Sequence, residues 1–314
     1  MIPAIFLMGP TASGKTELAI RLAELLPVSL VSVDSLLVYR HFNIGGAKPP
    51  PGVLSRYPHE LIDIREPDDP YSAGNFRKDA RALVDTARAA GKIPLLVGGT
   101  GLYFRALERG IADFPPAAEE LRLRIAREGE SLGWPALHAR LGILDPGRAS
   151  RIHPQDRQRI LRALELNGLG VSPAEKHWCE DFPGPVWKIA LCLPRKRLHA
   201  RIAQRFRQML SEGFPDEVQA LHARYGDADF PAMRAVGYRQ LFAWARGSTG
   251  LEQAGEEALA ATRQLAKRQE TWLRAETLDW RIDPEADGAF QALWSWLRVR
   301  LQETCPEKSF PDEK

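Results

Sequence analysis

The sequence predicts an α/β fold: a mostly parallel sheet with helices on both faces, and an all-helical subdomain inserted into it. Three observations predict this. An apolar run, Ile2 to Met8, leads through Gly9-Pro10-Thr11-Ala12-Ser13-Gly14-Lys15-Thr16 into an amphipathic stretch, Glu17 to Leu26. Apolar runs of strand length then alternate with helical patterns over roughly the first hundred residues, as βαβ units require. From about Asp113 to Pro185, opened by Pro115-Pro116, the pattern becomes helical with no convincing strand.

The elements follow in order. Residues 9–16 have the spacing G-x-x-x-x-G-K-[ST] between a strand and a helix, the context of a P-loop NTPase-like core. Small residues let the backbone turn so that several N–H groups converge on phosphate oxygens. Lys15 adds a point charge, and the Thr16 hydroxyl suits a Mg²⁺ ligand. The loop leaves open whether those oxygens belong to a nucleotide or to another diphosphate. Ser29 to Val33 reads as a second strand with Asp34 directly after it, and Glu60 to Ile64 as a third. Ala73 to Ala90 reads as a helix closed by Gly91, and Ile93 to Val97 as a further strand ending in Gly98-Gly99-Thr100-Gly101. Ligands of such sheets gather at the carboxyl ends of the strands, where both glycine-rich segments fall. After the helical stretch the chain returns with a strand, Val186 to Leu193, and amphipathic helices including Arg197 to Leu210 and Glu256 to Arg274. The expected organisation is a core of residues 1–112 and 186–309, a helical insertion at 113–185, and a loose tail at 310–314.

The chain has 314 residues, 44% hydrophobic and 26% charged, which suits a globular protein with a sizeable core. A formal charge of +3 is too weak to announce a polyanionic partner, but its distribution is uneven. Arg151 to Arg207 holds 12 Lys/Arg against 5 Asp/Glu, the place to look for a phosphodiester backbone. Solvated helix faces are the plainer reading of the same run. Three cysteines, Cys179, Cys192 and Cys305, lack paired metal spacing and argue against a disulfide framework. His177 and Cys179 form H-x-C with nothing to complete a metal set, and His153 before Pro154 suits a turn or cap. With no basic segment leading an apolar stretch and no membrane-length run, a cytoplasmic location without a membrane partner is expected.

Motifs along nearly the whole chain resemble the tRNA dimethylallyltransferases. They are GPTASGKTELAI at 9–20, SVDSLLVYR at 32–40, GGAKP at 45–49, YSAGNFR at 71–77, LLVGGTGLYFRAL at 95–107, RIHPQDRQRILRALE at 151–165, RFRQMLSEGF at 205–214, RAVGYRQ at 234–240 and TRQLAKRQETWLR at 262–274. Two departures stand out: the family usually has Asp-Ile-Gly-Thr-Ala-Lys-Pro where this chain has Asn43-Ile44-Gly45-Gly46-Ala47-Lys48-Pro49, and a Pro where Arg157 stands.

The resemblance implies transfer of a dimethylallyl group from dimethylallyl diphosphate to N6 of adenosine 37, beside the tRNA anticodon, with release of diphosphate. An adenine amine is a poor nucleophile that becomes acidic as the C–N bond forms, so a carboxylate is needed to accept its proton. The family's base falls at Asp34; a Mg²⁺ or capping role is the alternative for an Asp there. The leaving diphosphate is assigned to the loop, Gly9 through Thr16, with Mg²⁺ as cofactor, and the resemblance brings Thr11 and Arg205 to its bridging oxygen. It places tRNA contacts at Asp34, Ser35, Leu36, Leu37, Thr100, Arg122, Gln158, Arg159, Ile160, Leu161, Arg162, Arg234, Ala235, Val236, Gly237, Tyr238 and Arg239. Gln158 suits a base edge, and Arg159 and Arg162, three apart on a helix, suit adjacent phosphates. The target base would be flipped out of its stack into the site. Tyr103, Tyr238 and Trp272 have the type to stack on bases but fit a core or scaffold role better. No obligatory protein partner is evident.

Three other readings fit parts of the sequence. A P-loop small-molecule kinase explains residues 1–110 and leaves the insertion without a job. A nucleotide-switched RNA-binding protein uses loop and insertion without catalysis. An adenylate dimethylallyltransferase shares the loop and Asp34 but has no need of the basic motif at Gln158 to Arg162.

Overall fold

A computed structural model describes residues 1–111, 119–171, 182–228 and 230–306. The chain divides into two compact units, Met1–Arg109 with Asp181–Lys314, and Gly110–Glu180. Pro115-Pro116, His177, Cys179 and the tail at 310–314 lie outside the described residues.

The first unit is built on six parallel strands: β1 (Ala4–Met8), β2 (Val28–Val33), β3 (His59–Glu60), β4 (Ile93–Gly98), β5 (Val186–Leu191) and β6 (Trp280–Ile282). They lie in the order β3-β2-β4-β1-β5-β6. Helices α1 (Lys15–Leu25), α2 (Pro51–Arg56), α3 (Ala73–Ala89) and α4 (Gly101–Arg109) belong to its first segment. The second unit contains α5 (Glu119–Leu132), α6 (Trp134–Leu144), α7 (Pro146–Ala149) and α8 (Arg157–Gly168). The chain then returns to the first unit with α9 (Arg195–Ser211), α10 (Phe214–Tyr225), a 3₁₀ turn (Pro231–Arg234), α11 (Tyr238–Ala245), α12 (Leu251–Arg274) and α13 (Ala289–Thr304).

Strands β1 and β4 are apolar throughout because both their faces are covered, while β2 carries Ser29 and Ser32 and β5 carries Lys188. In β1, alternate residues Ile5 and Leu7 pack with Leu18 and Leu22 of α1 and with Trp294 and Leu297 of α13. On the other face Phe6 meets Phe104 of α4 and Phe182, with ring centroids 5.1 and 5.8 Å apart. The predicted α3 forms at its expected start, where Ser72 and Asn75 make a reciprocal capping box.

The third strand is shorter than the expected Glu60 to Ile64. Leu61 and Asp63 adopt φ of +63° and +56°, so the backbone leaves the extended region right after Glu60. The basic run Arg151 to Arg207 is divided between the two units, with α8 in the second and α9 in the first. Among the described residues no helix is long and apolar enough to cross a membrane.

Register sets the place of chemistry. Met8 of β1 lies beside Gly98 of β4, and Gly98 beside Val33 of β2. The residues that follow, Gly9, Gly99 and Asp34, therefore leave one edge of the sheet from three adjacent strands. With neighbouring strands about 4.8 Å apart, Asp34 departs about 10 Å from Gly9. Gly98 is required by this closeness: a Cβ there would lie 2.0 Å from the Val33 carbonyl oxygen.

The second unit has its own core of Ile125, Trp134, Leu137, Leu141, Ala149, Ile160, Ala163 and Leu164. Arg157 ion-pairs with Glu130 and lies 5.2 Å over the Trp134 ring. The departure from the family pattern thus adds a tie between α8 and α5.

Candidate active site

The phosphate loop turns through Ala12, at φ +62°, and Gly14, at φ +92°, before α1 begins. No side chain caps α1, so its first-turn N–H groups are left for a ligand. Ser13 is fully buried and its hydroxyl oxygen has no hydrogen-bond partner, an orphan that a phosphate oxygen would satisfy. A cavity of about 510 Å³ opens over the loop, lined by Ala12 to Glu17 on one side and by Arg201, Gln204, Arg205, Gln208 and Glu285 on the other. The predicted loop residues are thus joined by two cations of α9.

These cations are unevenly free. Arg201 is engaged by Glu285 at 2.8 Å and Glu17 at 3.7 Å. Arg205 instead donates to the Thr11 hydroxyl. A hydroxyl that accepts from Arg205 must direct its own proton away from that guanidinium. Lys15 donates to the Pro10 carbonyl at 2.7 Å. Burial first, and the charge of Arg205 second, push its ammonium down to about 7 against the opposing pull of Asp34. Arg205 is lowered as well, by burial foremost, with Asp34 again supporting the charged form. The Asp34 carboxylate therefore acts on both cations of the diphosphate site.

Asp34 divides its two oxygens between tasks. Oδ1 accepts from the Leu36 N–H at 2.8 Å and the Leu37 N–H at 3.3 Å, which fixes the turn after β2. Among the described residues nothing donates to Oδ2. Asp34 thus caps a turn and not a helix, and its other oxygen is unengaged. The neighbouring Ser35 N–H donates to the Thr100 hydroxyl at 3.2 Å, tying the Asp34 turn to the end of β4.

The loop beyond that turn is held by residues that sequence reasoning missed. Glu217 of α10 accepts from the backbone N–H groups of Asn43, Ile44 and Gly45 at 2.9, 2.8 and 3.1 Å, and from the Tyr238 hydroxyl at 2.6 Å. Tyr238 accepts from the Gly46 N–H in turn. These bonds use only backbone groups of the departing Asn43 and Gly46, while the Asn43 side chain accepts from Lys48 at 2.8 Å and a Cβ at Gly46 would lie 2.5 Å from the Phe42 carbonyl oxygen. Gln269 of α12 was also missed; it contacts both the phosphate loop and the end of β4. Its only sequence signal was membership of the motif at 262–274.

The expected tRNA-contact residues are of two kinds. Gln158 and Arg159 on α8 are exposed, Arg159 with only a 3.4 Å pairing to Asp156. Arg122 is half-buried on α5. Arg162 is half-buried and engaged by the buried Glu165 at 2.9 Å, so a phosphate held there would share it with that carboxylate. Ile160 is fully buried and Leu161 packs against the same core, so Ile160 offers no side chain to RNA. In the first unit, Arg234 and Arg239 are exposed, Ala235 and Val236 half-buried, and Gly237 and Tyr238 buried. Tyr238 therefore does not stack on a base. Tyr103 is buried in a 4.4 Å stack with Phe76, and Trp272 lies along Phe104. His153 accepts the Gln155 N–H within a turn.

Among the described residues no group of three His, Cys, Asp or Glu side chains is placed to cage a metal. The site fits Mg²⁺ of the kind held largely by phosphate oxygens. Thr16, exposed in the cavity beside Lys15, has the hydroxyl for it.

Comparison with known proteins bears on this arrangement. Residues 37–276 match the model of the IPP transferase family. A tRNA dimethylallyltransferase of Acidithiobacillus ferrooxidans is 59% identical over 93% of this chain and 94% of its own. One from Hahella chejuensis is 48% identical over 97% of both. The crystal structure of a tRNA isopentenylpyrophosphate transferase from Bacillus halodurans superposes with a TM-score of 0.71 at 33% identity, covering 98% of this chain and 99% of that one. With a family match across three quarters of its length and near full-length relatives, the chain belongs to the IPP transferase family.

Proposed function

We propose that this protein transfers a dimethylallyl group from dimethylallyl diphosphate to N6 of the adenosine beside the tRNA anticodon. The observation that carries the reading is the placement of Asp34, with one oxygen unengaged, where it acts on Lys15 and Arg205 of the phosphate cavity. A carboxylate and a phosphate loop at the ends of β2 and β1, which both pair with β4, suit a displacement at carbon.

The donor diphosphate lies against the N–H groups of the loop, the orphan Ser13 hydroxyl and Lys15. Thr16 would hold Mg²⁺, which would supply positive charge against the diphosphate. The adenine N6 lone pair attacks the first carbon of the prenyl group while the bond from that carbon to oxygen breaks. The electron pair of the broken bond leaves on the diphosphate, where Arg205, Lys15 and the Thr11 hydroxyl meet the growing charge. Asp34 takes the proton from N6 as the C–N bond forms. Ser35 and Thr100 fix the carboxylate's turn at the end of β4. Phosphates of the anticodon stem-loop are held by Arg159 and Arg162 of α8, Arg122 of α5, and Arg234 and Arg239 near α11; Gln158 reads a base edge.

Purified protein with Mg²⁺, dimethylallyl diphosphate and unmodified tRNA is expected to form a prenylated adenosine, with free AMP a poor acceptor. Transfer to AMP at rates matching tRNA would overturn the tRNA assignment, and phosphoryl transfer from ATP without prenylation would support a kinase instead.

A further inference from the structure

Gln269 is a single side chain joined to both halves of the site. Its Oε1 accepts from the Thr11 N–H at 2.8 Å, and its Nε2 donates to the Gly99 carbonyl at 3.0 Å. Thr11 carries the hydroxyl bonded to Arg205. Gly99 precedes Thr100, whose hydroxyl accepts from Ser35 next to Asp34. The series therefore runs from the leaving-group side, through one carboxamide, to the turn that holds the base. Both ends of an amide are needed, since one partner is a donor and the other an acceptor.

The surrounding residues are shaped to this contact. A Cβ on Gly99 would lie 2.4 Å from Nε2 of Gln269, so a larger residue would displace the amide. One turn further along α12, Trp272 fills the corresponding place at Gly101, where a Cβ would lie 2.4 Å from the indole. The helix thus lies close along Gly99 to Gly101, and Gln269 reaches from it to the phosphate loop as well.

We infer that Gln269 is a positioning residue for prenyl transfer: its carboxamide sets the spacing between Thr11 of the diphosphate loop and the Gly99-Thr100 support of Asp34. The inference rests on the proposed reaction. It does not concern binding of either substrate alone, which the loop N–H groups and the arginines govern. Gln269 touches no reacting atom, so its effect belongs in the alignment of donor with acceptor, where a shift of about 1 Å costs about a hundredfold in rate.

The test is steady-state kinetics of Gln269→Met with tRNA and dimethylallyl diphosphate. Methionine keeps length and apolar bulk but neither donates nor accepts as an amide does. The expected result is a kcat lower by about tenfold to a hundredfold, with KM for tRNA within about twofold and a thermal midpoint lower by only about 2–4 °C. Gly99→Ala should reproduce the loss by displacing the amide. The double variant should lose little beyond either single change, since both break one contact. A folded Gln269→Met with wild-type kcat overturns the inference, as does a loss confined to KM or additive losses in the double variant. If the wild-type protein fails to prenylate tRNA, the reaction reading itself has failed. The positioning role, which rests on that reaction, is then overturned with it.

Discussion

Lys15 should make diphosphate binding a proton-uptake reaction near neutral pH. Its ammonium is lowered from 10.5 to about 7, by burial first and Arg205 second. At pH 8 about nine-tenths of the free sites therefore lack the proton. Diphosphate against the ammonium favours the charged form, so binding restores what burial removed, an uptake of about 0.9 proton per site at pH 8. Above pH 7 this weakens binding by up to about tenfold per pH unit. Titration calorimetry in two buffers of different ionisation enthalpy measures the uptake directly. The diphosphate's own ionisation is read from Lys15→Arg, whose guanidinium keeps its charge throughout. The wild-type protein should take up about 0.5–1 proton more than Lys15→Arg at pH 8 and no more at pH 5.5. Equal uptake at pH 8 would refute the argument that burial has discharged Lys15.

The same shift has a second consequence in the ligand-free protein. The unfolded chain keeps the Lys15 proton up to its ordinary value of 10.5, whereas the folded chain sheds it near 7, so this group makes stability rise with pH between those values. Denaturant unfolding of Lys15→Met should show a flatter rise over that range. Asp34→Asn should abolish turnover while tRNA and diphosphate binding stay within about threefold, measured by filter binding and calorimetry, because the Oδ1 bonds to Leu36 and Leu37 survive in the amide. Gly45→Ala would put a Cβ 2.1 Å from the Phe214 ring and 2.7 Å from Tyr238, and should cost about 1–3 kcal/mol in urea unfolding. Arg159→Ala should reduce the salt dependence of tRNA binding by about one phosphate contact with little change in stability. Arg162→Ala should do so only with a loss of stability of about 1–2 kcal/mol, because it also removes a partner of buried Glu165.

What the sequence revealed and what it hid differ in range. The strands β1 and β4 are legible because a strand buried on both faces tends to be apolar without interruption, and the phosphate loop because small residues and a Lys are needed at fixed short spacing. The end of β3 was not legible, since Leu61 and Asp63 adopt positive φ without the glycine that would mark it. Reading Gln158 to Arg162 as one contiguous surface overlooked the helical period that turns Ile160 into the core. Counting charge from Arg151 to Arg207 overlooked topology, which assigns α8 and α9 to different units. Gln269 and Glu217 act on partners 258 and 172–174 positions away, so no local pattern around either residue announces its role.

The central claim is that this phosphate loop grips a leaving group expelled from carbon and passes on no phosphoryl group. Mass analysis of unmodified tRNA, after incubation with the protein, Mg²⁺ and dimethylallyl diphosphate, tests it most directly. The account predicts the gain of one dimethylallyl group on the adenosine beside the anticodon, with loss of the product in Asp34→Asn. Unaltered tRNA alongside ATP-dependent phosphorylation of a small molecule or nucleotide would contradict it.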